Sequence, residues 1–227
     1  MKLSCNNLTC DRGGRRVFHK ISLHVETGEA LIVRGPNGSG KSSLLRVIAG
    51  FVGKAGGEIA LEGGDKERSV PEHCHYFGHQ DALKPALSVQ ENLSFWQQFY
   101  EPVPYETGNK NTTLSIEEAL DTLGILHTAQ LPAGFLSAGQ KRRLSLARLL
   151  VVSRPIWIMD EPSAALDAAS EKVLLGLMAE HLNKGGLLLA ATHLPLDLPN
   201  THFLDIASSD SLEDEDARSD DQGDYWL

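Results

Sequence analysis

A glycine-rich segment near the start of the chain has the residue types needed to hold phosphate groups. Residues 35–42 match the pattern GxxxxGK[ST] and lie between a short apolar run and a helix-like segment. Glycines let successive backbone N–H groups point inward as an anion cradle, and the helix N-terminus adds partial positive charge. Lys41 reaches the terminal phosphates in such a loop, and the Ser42 hydroxyl ligates magnesium. The predicted phosphate-binding residues are Gly35, Pro36, Asn37, Gly38, Ser39, Gly40, Lys41, Ser42 and Ser43.

Two carboxylates end an apolar run later in the chain. Residues 156–159 are all apolar, and Asp160 and Glu161 follow them directly. A folded protein rarely places acids at the end of a buried strand unless a cation compensates their charge. We therefore expect Asp160 on the magnesium side. Glu161 lies on the other side of the strand end, where it is suited to orient or deprotonate an attacking water. A solvated acidic turn explains this hexapeptide alone, but it does not explain its occurrence beside a phosphate loop.

A second candidate anion site lies between these two motifs. Residues 136–140 read Leu-Ser-Ala-Gly-Gln and open a predicted helix over 140–152. The Ser137 hydroxyl and the backbone amides of Ala138 and Gly139 would then face solvent at a helix N-terminus. A monomer has no use for two such sites, so the pattern favours a site shared between two copies.

Together these motifs resemble those of the ABC ATPases. The phosphate loop, LSAGQ, the apolar run with Asp-Glu and the later Thr192-His193 occur in that family's order and spacing, over roughly residues 1–205. The resemblance implies an α/β fold: an ABC-type P-loop NTPase with a RecA-like core sheet, an N-terminal antiparallel β subdomain and an inserted helical subdomain. It also implies that ATP and Mg²⁺ are bound and that a homodimer forms on ATP binding through an isologous interface.

The resemblance implies roles for individual residues as well. Ser137 and Gly139 would contact the γ-phosphate held by the second copy, and Asp167 would cross the same interface. His193 would steady the γ-phosphate and the attacking water. Beyond the phosphate loop, the implied ATP-binding residues are Gln80, Ser137, Gly139, Gln140 and Asp167. The implied catalytic residues are Glu161 and His193, and the implied magnesium ligands are Ser42, Gln80 and Asp160.

Two positions depart from the common pattern of that family. Arg12 stands where many members carry an aromatic residue that stacks on adenine. An arginine plane can also stack, but it makes selectivity for adenine less secure. Ala138 replaces a glycine of the commoner LSGGQ. Neither change removes a catalytic group.

A closer resemblance is to the ATPases of the cytochrome c maturation haem exporter, the CcmA family. Its evidence is the segments at 78–96, 136–150, 154–167 and 191–196 together with the missing aromatic residue at Arg12. The implied partners are the integral membrane subunits of that complex, with this chain peripheral on the cytoplasmic face of the inner membrane. The aromatic residues Phe95, Trp96 and Phe99 are candidates for receiving a coupling helix, although a core position is the plainer reading of Trp96.

The elements that must position these residues follow from apolar periodicity. Alternating apolar residues over 21–25 predict a half-buried antiparallel strand that ends at Gly28. The wholly apolar runs at 31–33, 156–159 and 187–191 predict central strands covered on both faces. The helix that starts at Ser42 is expected to stop at Gly50, and another helix with an apolar stripe joins the last two strands.

Residues 85–153 carry helical patterns without a strand-like run. Ser88 with Glu91, and Ser115 with Glu118, form capping boxes that start two of these helices, and a polar loop over 101–114 separates them. We predict a single ABC ATPase domain over 1–208 with a helical subdomain inserted at about 85–153. An acidic tail over 209–227 is predicted to be disordered.

Composition and charge narrow the functional class. The net charge is -9, but residues 205–227 contribute -8 of it with nine acids against Arg218. The nearly neutral remainder gives no electrostatic basis for binding nucleic acid. The apolar runs are far shorter than the roughly 20 residues of a membrane-spanning helix, and the start shows no export signal, so we expect a cytoplasmic protein. Cys5, Cys10 and Cys74 lack metal-type spacing and are predicted to be packing residues.

A histidine-rich stretch raises the alternative of a metal or haem site. His73, Cys74, His75 and His79 lie close together in sequence. On a strand, however, the three histidines would face opposite to Cys74, which splits the set. We therefore expect no metal site there.

A basic stretch raises the alternative of nucleic-acid binding. Its members are Lys141, Arg142, Arg143 and Arg148. A basic helix just behind an anion-binding N-terminus is more simply a solvated face that supports the phosphate field. We prefer that interpretation.

Three other classes of protein share part of this pattern. A soluble ABC ATPase of DNA repair or translation would need a long coiled-coil insertion or two tandem cassettes, and this chain has one cassette. A non-hydrolysing nucleotide sensor would be expected to lack Glu161 or His193, and both are present. An exporter ATPase for another substrate, such as a lipid or a peptide, stays open, because substrate contacts lie on the membrane chains.

Overall fold

The computed structural model of this chain describes residues 1–103, 105, 113–164, 166–192 and 197–207. The strands are β1 (Lys2–Arg12), β2 (Arg15–Glu26), β3 (Ala30–Arg34), β4 (Gly56–Glu62), β5 (Cys74–Phe77), β6 (Ile156–Asp160), β7 (Leu187–Ala191) and β8 (Thr201–Asp205). The helices are α1 (Lys41–Ile48), α2 (Val89–Phe99), α3 (Ile116–Thr122), α4 (Ala138–Val151) and α5 (Ala168–Asn183). The acidic tail predicted for 209–227 lies outside the described residues.

The strands form two sheets. One is antiparallel with the order β2-β1-β4, and the other is parallel with the order β5-β6-β7-β3-β8. This architecture confirms the predicted α/β class with an N-terminal antiparallel subdomain. Because parallel strands end at the same edge, the loop after β3 and the acids at the end of β6 meet across the intervening β7.

The parallel sheet is buried on both faces. Along β6, Ile156 and Ile158 pack on the side of α1 and the antiparallel sheet, whereas Trp157 and Met159 pack on the side of α2 to α5. All five residues of β6 and of β7 are buried. Two-sided burial is the physical reason for the uninterrupted apolar runs, and it confirms the central strands predicted from them.

Three helices lie between β5 and β6. Each of α2, α3 and α4 begins with a capping box, in which the N-cap serine and the third helical residue exchange hydrogen bonds. Two of these boxes were predicted from the sequence and are confirmed; the limits of the subdomain at 85 and 153 stay a prediction. Part of the predicted loop over 101–114 lies outside the described residues. Within the described ranges, no helix combines the length and the apolar character needed to cross a lipid bilayer.

The interpretation of the basic stretch as a solvated face is wrong for two of its four residues. Arg142 is 3% exposed and Arg148 is 7% exposed. Both lie where α4 packs on β5 and the loop after it. Arg142 Nη1 donates to the backbone oxygen of Gly78 at 2.6 Å, and Arg148 Nη2 donates to the backbone oxygen of Tyr76 at 2.7 Å. Burial lowers the pKa of both guanidinium groups. Carbonyl acceptors that are distant in sequence cannot be read from a charge pattern.

The histidine-rich stretch makes structural contacts. Of its three histidines only His75 lies on β5, so the expectation that all three share one strand face is wrong. His73 lies in the preceding short 3-10 turn, where its Nδ1 is 2.9 Å from Ser69 O. The His75 Nε2 is 2.7 Å from Val152 O and the ring is buried. These partners account for both imidazoles.

The three cysteines are free and buried, which confirms their predicted role as packing residues. Burial raises the pKa of the Cys5 and Cys74 thiols to about 12. Thiols with so high a pKa hold almost no thiolate at neutral pH and are poor nucleophiles.

Candidate active site

The loop over residues 35–40 joins β3 to α1. Gly35, Gly38 and Gly40 have φ values of +145°, +85° and +96°, a region that favours glycine. Space also requires Gly35, because a β-carbon there would clash with the carbonyl oxygen of Ile206 and lie 2.7 Å from Ser39 Oγ. At Gly38 no atom lies within 4 Å of that position. The start of the loop is therefore packed against the protein, whereas its centre has free space around it.

Polar groups of this loop are buried within it. Lys41 is 8% exposed, and its Nζ donates to the carbonyl oxygens of Gly35 at 2.8 Å and Pro36 at 2.9 Å. Ser39 is 1% exposed, and its Oγ has no hydrogen-bond partner within the described part of the chain. A buried hydroxyl without a partner is costly and is found where a ligand or water completes its bonding. Both groups suit an anion held in this loop.

A hydrogen-bond chain connects the loop to the acidic end of β6. Ser42 Oγ donates to Asp160 Oδ1 at 2.8 Å, and Tyr76 OH donates to Asp160 Oδ2 at 3.2 Å. Arg46 Nε in turn donates to Tyr76 OH at 3.1 Å. Asp160 is 4% exposed, so these donors are what allows a carboxylate to be buried. Tyr76 was missed by sequence reasoning, since a tyrosine on a strand carries no signal of a partner 84 residues away.

Glu161 is held in a strained backbone conformation. Its φ is +49°, which costs a non-glycine residue about 1–3 kcal/mol and persists only where neighbours impose it. Its N–H donates to Ala191 O at the end of β7 at 2.8 Å. Its carbonyl oxygen accepts from Arg142 Nη2 at 2.8 Å and from the N–H of Ala164 at 3.2 Å. Both peptide groups of Glu161 are thus fixed by other elements, and Arg142 is a second residue that sequence reasoning missed.

Eight of the predicted residues line one pocket. Its volume is about 280 Å³. Val17 and Gly40 contact each other in its wall, where a β-carbon added to Gly40 would lie 3.0 Å from Val17 Cγ1. The predicted residues that line it are Asn37, Gly38, Gly40, Lys41, Ser42, Ser43 and Asp160, and Glu161 completes the acidic side. Arg12 does not line this pocket; Val17 on β2 does.

The helix N-terminus of the LSAGQ segment lies where the sequence predicts. Ser137 is the N-cap of α4, where its Oγ accepts from the Gln140 N–H at 3.2 Å and its own N–H donates to Gln140 Oε1 at 3.0 Å. Ser137 is exposed. Because its oxygen accepts within the helix, its hydroxyl hydrogen is available to a partner outside the helix, as are the first amides of α4. Gln140 therefore contributes to this anion site indirectly, by fixing the N-cap serine.

Gln80 and Asp167, two further predicted site residues, do not line the phosphate-loop pocket. Gln80 is exposed and lines a separate groove. Asp167 is the N-cap of α5, and its Oδ1 accepts from the Ser170 N–H at 2.8 Å. Hydrogen bonds from Ser170 lower the pKa of Asp167. His193 lies outside the described residues.

The groove that contains Gln80 has a volume of about 760 Å³ and an aromatic wall. Phe51 and Phe99 are 66% and 65% exposed, and Trp96 stacks on Tyr100 with 5.3 Å between ring centroids. Phe51 also contacts the ring of Tyr76 edge-on at 5.2 Å, so the groove wall adjoins the residue that donates to Asp160. Of the three aromatic candidates from the sequence, Trp96 and Phe99 line this groove and Phe95 does not.

Two arginines lie in the floor of this groove. Arg154 is 3% exposed, and its Nε and Nη1 have no hydrogen-bond partner among the described residues. Arg148 bonds to one carbonyl oxygen, and its ring neighbour is Trp96, 4.7 Å from the guanidinium carbon. Burial lowers the pKa of Arg154 as it does that of Arg148. The floor therefore carries positive charge that the described carboxylates do not pair with directly.

Comparison with known proteins places this architecture in one family. The family model described as ABC transporter matches residues 18–164. A cytochrome c biogenesis ATP-binding export protein CcmA from Bradyrhizobium diazoefficiens is 56% identical over 198 residues, which cover 87% of this chain and 94% of that protein. The proteins of the same name from Nitrobacter winogradskyi and Brucella abortus are 52% and 49% identical, with 94% and 88% of their lengths covered.

Solved structures show the same fold. An ABC transporter ATP-binding protein from Pyrococcus furiosus superposes with a TM-score of 0.73 at 25% identity, covering 90% of this chain and 98% of that one. An ATP-binding subunit of another ABC transporter also superposes with a TM-score of 0.73, at 23% identity, covering 86% and 80% of the two chains. The chain therefore belongs to the ABC transporter family and, within it, to the cytochrome c biogenesis ATP-binding export proteins of the CcmA type.

Proposed function

We propose that this chain binds and hydrolyses ATP as the nucleotide-binding subunit of a haem exporter in cytochrome c biogenesis. The observation that carries the proposal is the 2.8 Å hydrogen bond from Ser42 Oγ to Asp160 Oδ1, which joins the phosphate loop to the acidic strand end across 118 residues of sequence. The names of its relatives, cytochrome c biogenesis ATP-binding export proteins, support the export system. The chain would act on the cytoplasmic face of the membrane.

The donor set beside the loop fits a magnesium ion. The Ser42 hydroxyl oxygen and a carboxylate oxygen of Asp160 lie 2.8 Å apart, and oxygen donors of this kind are what Mg²⁺ takes from proteins that bind it with a phosphate ligand. Gln80 would be a further oxygen ligand if its loop turned towards the pocket. When bound, the ion neutralises charge on the phosphates. Tyr76 keeps the second oxygen of Asp160 oriented in the meantime.

The phosphate groups of ATP would be held by the loop itself. Lys41 can exchange its bonds to the carbonyls of Gly35 and Pro36 for bonds to phosphate oxygens, since those carbonyls are weaker acceptors than an anion. The buried hydroxyl of Ser39 and the inward N–H groups of the loop add neutral donors. The 280 Å³ pocket accommodates phosphates, and the base would lie towards Val17.

Glu161 is the proposed general base. Its carboxylate follows Asp160 at the pocket wall, so it can take a proton from a water in line with the terminal phosphate. We propose that His193 steadies that water and the γ-phosphate. His193 follows Thr192 at the end of β7, the strand whose last carbonyl already holds the Glu161 amide.

The site is proposed to close between two copies. Ser137 and Gly139 at the N-terminus of α4 form an anion site that is exposed and separate from the phosphate loop. A second copy would bring its phosphate loop to this helix end, and Asp167, exposed at the start of α5, would lie in the same interface. An arrangement in which each chain contributes both halves gives two equal sites, as an isologous dimer requires.

The groove beside Gln80 is the proposed docking site for an integral membrane subunit of the haem export complex. Its wall exposes Phe51 and Phe99, and its floor holds Arg148 and Arg154, which form no ion pair with a carboxylate within the part of the chain that the structure describes. This combination fits a short helix of the membrane subunit. Apolar residues of that helix would pack on the exposed aromatic residues, and an acidic residue would pair with the buried positive charge. Tyr76 joins this wall to Asp160, so docking adjoins the nucleotide site directly.

The experiment for this function is Glu161→Gln. The amide cannot accept the proton of water, so turnover should fall roughly 10²- to 10⁴-fold while ATP affinity is retained. Phosphate release measures turnover, and calorimetry measures affinity. In cells that lack this chain, covalently bound haem in c-type cytochromes should be lost, and the wild-type chain should restore it.

The same variant gives the outcomes that would contradict the proposal. Wild-type turnover in Glu161→Gln would remove this residue from catalysis. Normal c-type cytochromes in cells that produce only Glu161→Gln would separate the hydrolysis from cytochrome biogenesis. Glu117→Gln, on the exposed start of α3, is the matched control and should leave both readouts unchanged.

A further inference from the structure

One guanidinium group joins three parts of the active site. Arg142 lies on α4, five residues after Ser137, and is 3% exposed. Its Nη2 donates to Glu161 O at 2.8 Å, and its Nη1 donates to Gly78 O at 2.6 Å and to Asp81 Oδ1 at 3.3 Å. A planar fork with donors in fixed directions is suited to holding two separate segments at once.

The Glu161 contact falls on a residue whose backbone needs restraint. Glu161 has a φ of +49°, and left-handed backbone in a non-glycine residue relaxes unless its peptide groups are held. Ala191 holds the N–H side, and Ala164, three residues further along the same turn, moves with it. Arg142 is therefore the contact that ties the carbonyl side to another element. Rotation of that peptide group would swing the Glu161 side chain away from the pocket.

The Gly78 and Asp81 contacts fall on the loop that carries Gln80. This loop is held to α4 a second time, since Ser145 Oγ donates to Asp81 O at 3.0 Å. The Arg142 guanidinium carbon also lies 3.8 Å from the centroid of the Phe77 ring, at the end of β5. Arg142 thus spans the distance between the Gln80 loop and the Glu161 turn, with one terminal nitrogen bonded to each.

We propose that Arg142 is a positioning residue, which fixes the Glu161 carboxylate and the Gln80 loop relative to α4. This inference rests on the proposed role of Glu161 as general base. Because Ser137 caps the same helix, the nucleotide bound at the N-terminus of α4 by a second copy acts through Arg142 on the catalytic turn of this chain. The two sites of a dimer are then coupled by a rigid helix and one fork of hydrogen bonds.

The test is Arg142→Met in the full-length chain, made in the wild-type and in the Glu161→Gln background. Methionine keeps the apolar volume and removes every donor. We expect kcat to fall roughly 10²-fold with the KM for ATP unchanged, because a misplacement of about 1 Å is worth that much in rate. In Glu161→Gln the same change should lower kcat less than about 3-fold, since there is no carboxylate left to position.

The outcomes separate the inference from the function it rests on. If Glu161→Gln alone kept wild-type turnover, the proposed base would fail whatever Arg142 does. If Glu161→Gln lost turnover but Arg142→Met lowered kcat equally in both backgrounds, Arg142 would have a structural role only and the inference would be overturned. Wild-type kcat in Arg142→Met would overturn it as well.

Two further variants guard against a loss of folding or of charge. Lys66→Met removes a positive charge at an exposed position in the loop after β4, outside both pockets, and should keep wild-type kcat. Arg142→Lys keeps the charge but lacks the fork, so one ammonium cannot reproduce the geometry of both carbonyl bonds. We expect it to lose at least ~10-fold in kcat. If Arg142→Met does not fold, wild-type kcat in Arg142→Lys would overturn the proposal.

Discussion

At the scale of single residues, two buried charged groups of the site have partners that suit their task. Asp160 is buried because Ser42 and Tyr76 donate to its two oxygens. Lys41 is buried because carbonyl oxygens of its own loop accept its protons. Such groups can exchange partners when a ligand of higher charge arrives, without a change in the surrounding fold.

The buried histidines predict how stability depends on pH. Burial lowers the pKa of His75 and of His181 to about 3, with His75 bonded to Val152 O and His181 stacked 4.0 Å from the Trp157 ring. In the unfolded chain both take up a proton near pH 6.5, so between about pH 6.5 and 3 the unfolded state binds more protons. The free energy of unfolding should therefore be fully present above pH 6.5 and should fall as the pH falls. At pH 5 each imidazole should have lowered it by about 2 kcal/mol.

Urea unfolding at pH 7.5 and at pH 5 measures this effect. His181→Gln cannot titrate, so its stability should change less between the two pH values than that of the wild type. An equal change in both proteins would show that His181 does not contribute to the acid sensitivity.

At the scale of elements, three helix N-termini share one capping motif, but only one of them carries a candidate functional segment. The same capping box begins α2, α3 and α4, but only on α4 does it present a hydroxyl in a segment with the sequence LSAGQ. The boxes on α3 and α4 are thus a natural pair for separating a stabilising role from a functional one.

Removing each cap should distinguish those roles. Ser115→Ala on α3 and Ser137→Ala on α4 should each lower the free energy of unfolding by about 1 kcal/mol, because each loses one N-cap hydrogen bond. Only Ser137→Ala should also weaken the ATP-dependent dimer and lower turnover. Chemical denaturation and light scattering with ATP in the Glu161→Gln background measure the two effects. Equal loss of dimer in both variants would argue against the role of Ser137 at the interface.

Element prediction from the sequence was accurate where the signal was local. The strands at 31–33, 156–159 and 187–191 and the helices after Ser88 and Ser115 lie where periodicity and caps place them. The basic stretch on α4 was read wrongly for Arg142 and Arg148, because four cations on one helix look solvated unless their distant carbonyl partners are known. Likewise, β5 is too short for its three neighbouring histidines to share a face.

At the scale of the whole molecule, two surfaces are left for partners. The N-terminus of α4 is not part of the phosphate-loop pocket, and the groove with Phe51 and Phe99 contains Gln80. We propose that the first surface binds a second copy of this chain and that the second binds a membrane subunit. Tyr76 and Arg142 connect both surfaces to the acids at the end of β6.

A substitution in the groove should release the chain from the membrane without affecting its fold. Phe99→Asp places a charge where an apolar partner would dock, and we expect the membrane-bound fraction to fall at least ~10-fold. Sedimentation of membranes followed by quantitative detection of the chain measures this fraction. Phe203→Asp is the matched control, since Phe203 is 51% exposed on β8, outside the groove. Equal release by both variants would count against docking in the groove.

The sequence by itself determined the family, the phosphate loop, the acidic strand end and the caps, because each depends on residues within a few positions of one another. The tertiary structure alone decided that Tyr76 reaches Asp160 across 84 residues and that Arg142 reaches Glu161 across 19. It also decided that Gln80 lies in a groove. Such contacts depend on how the sheet and α4 pack together, and short-range periodicity carries no information about which distant carbonyl or carboxylate a side chain will meet.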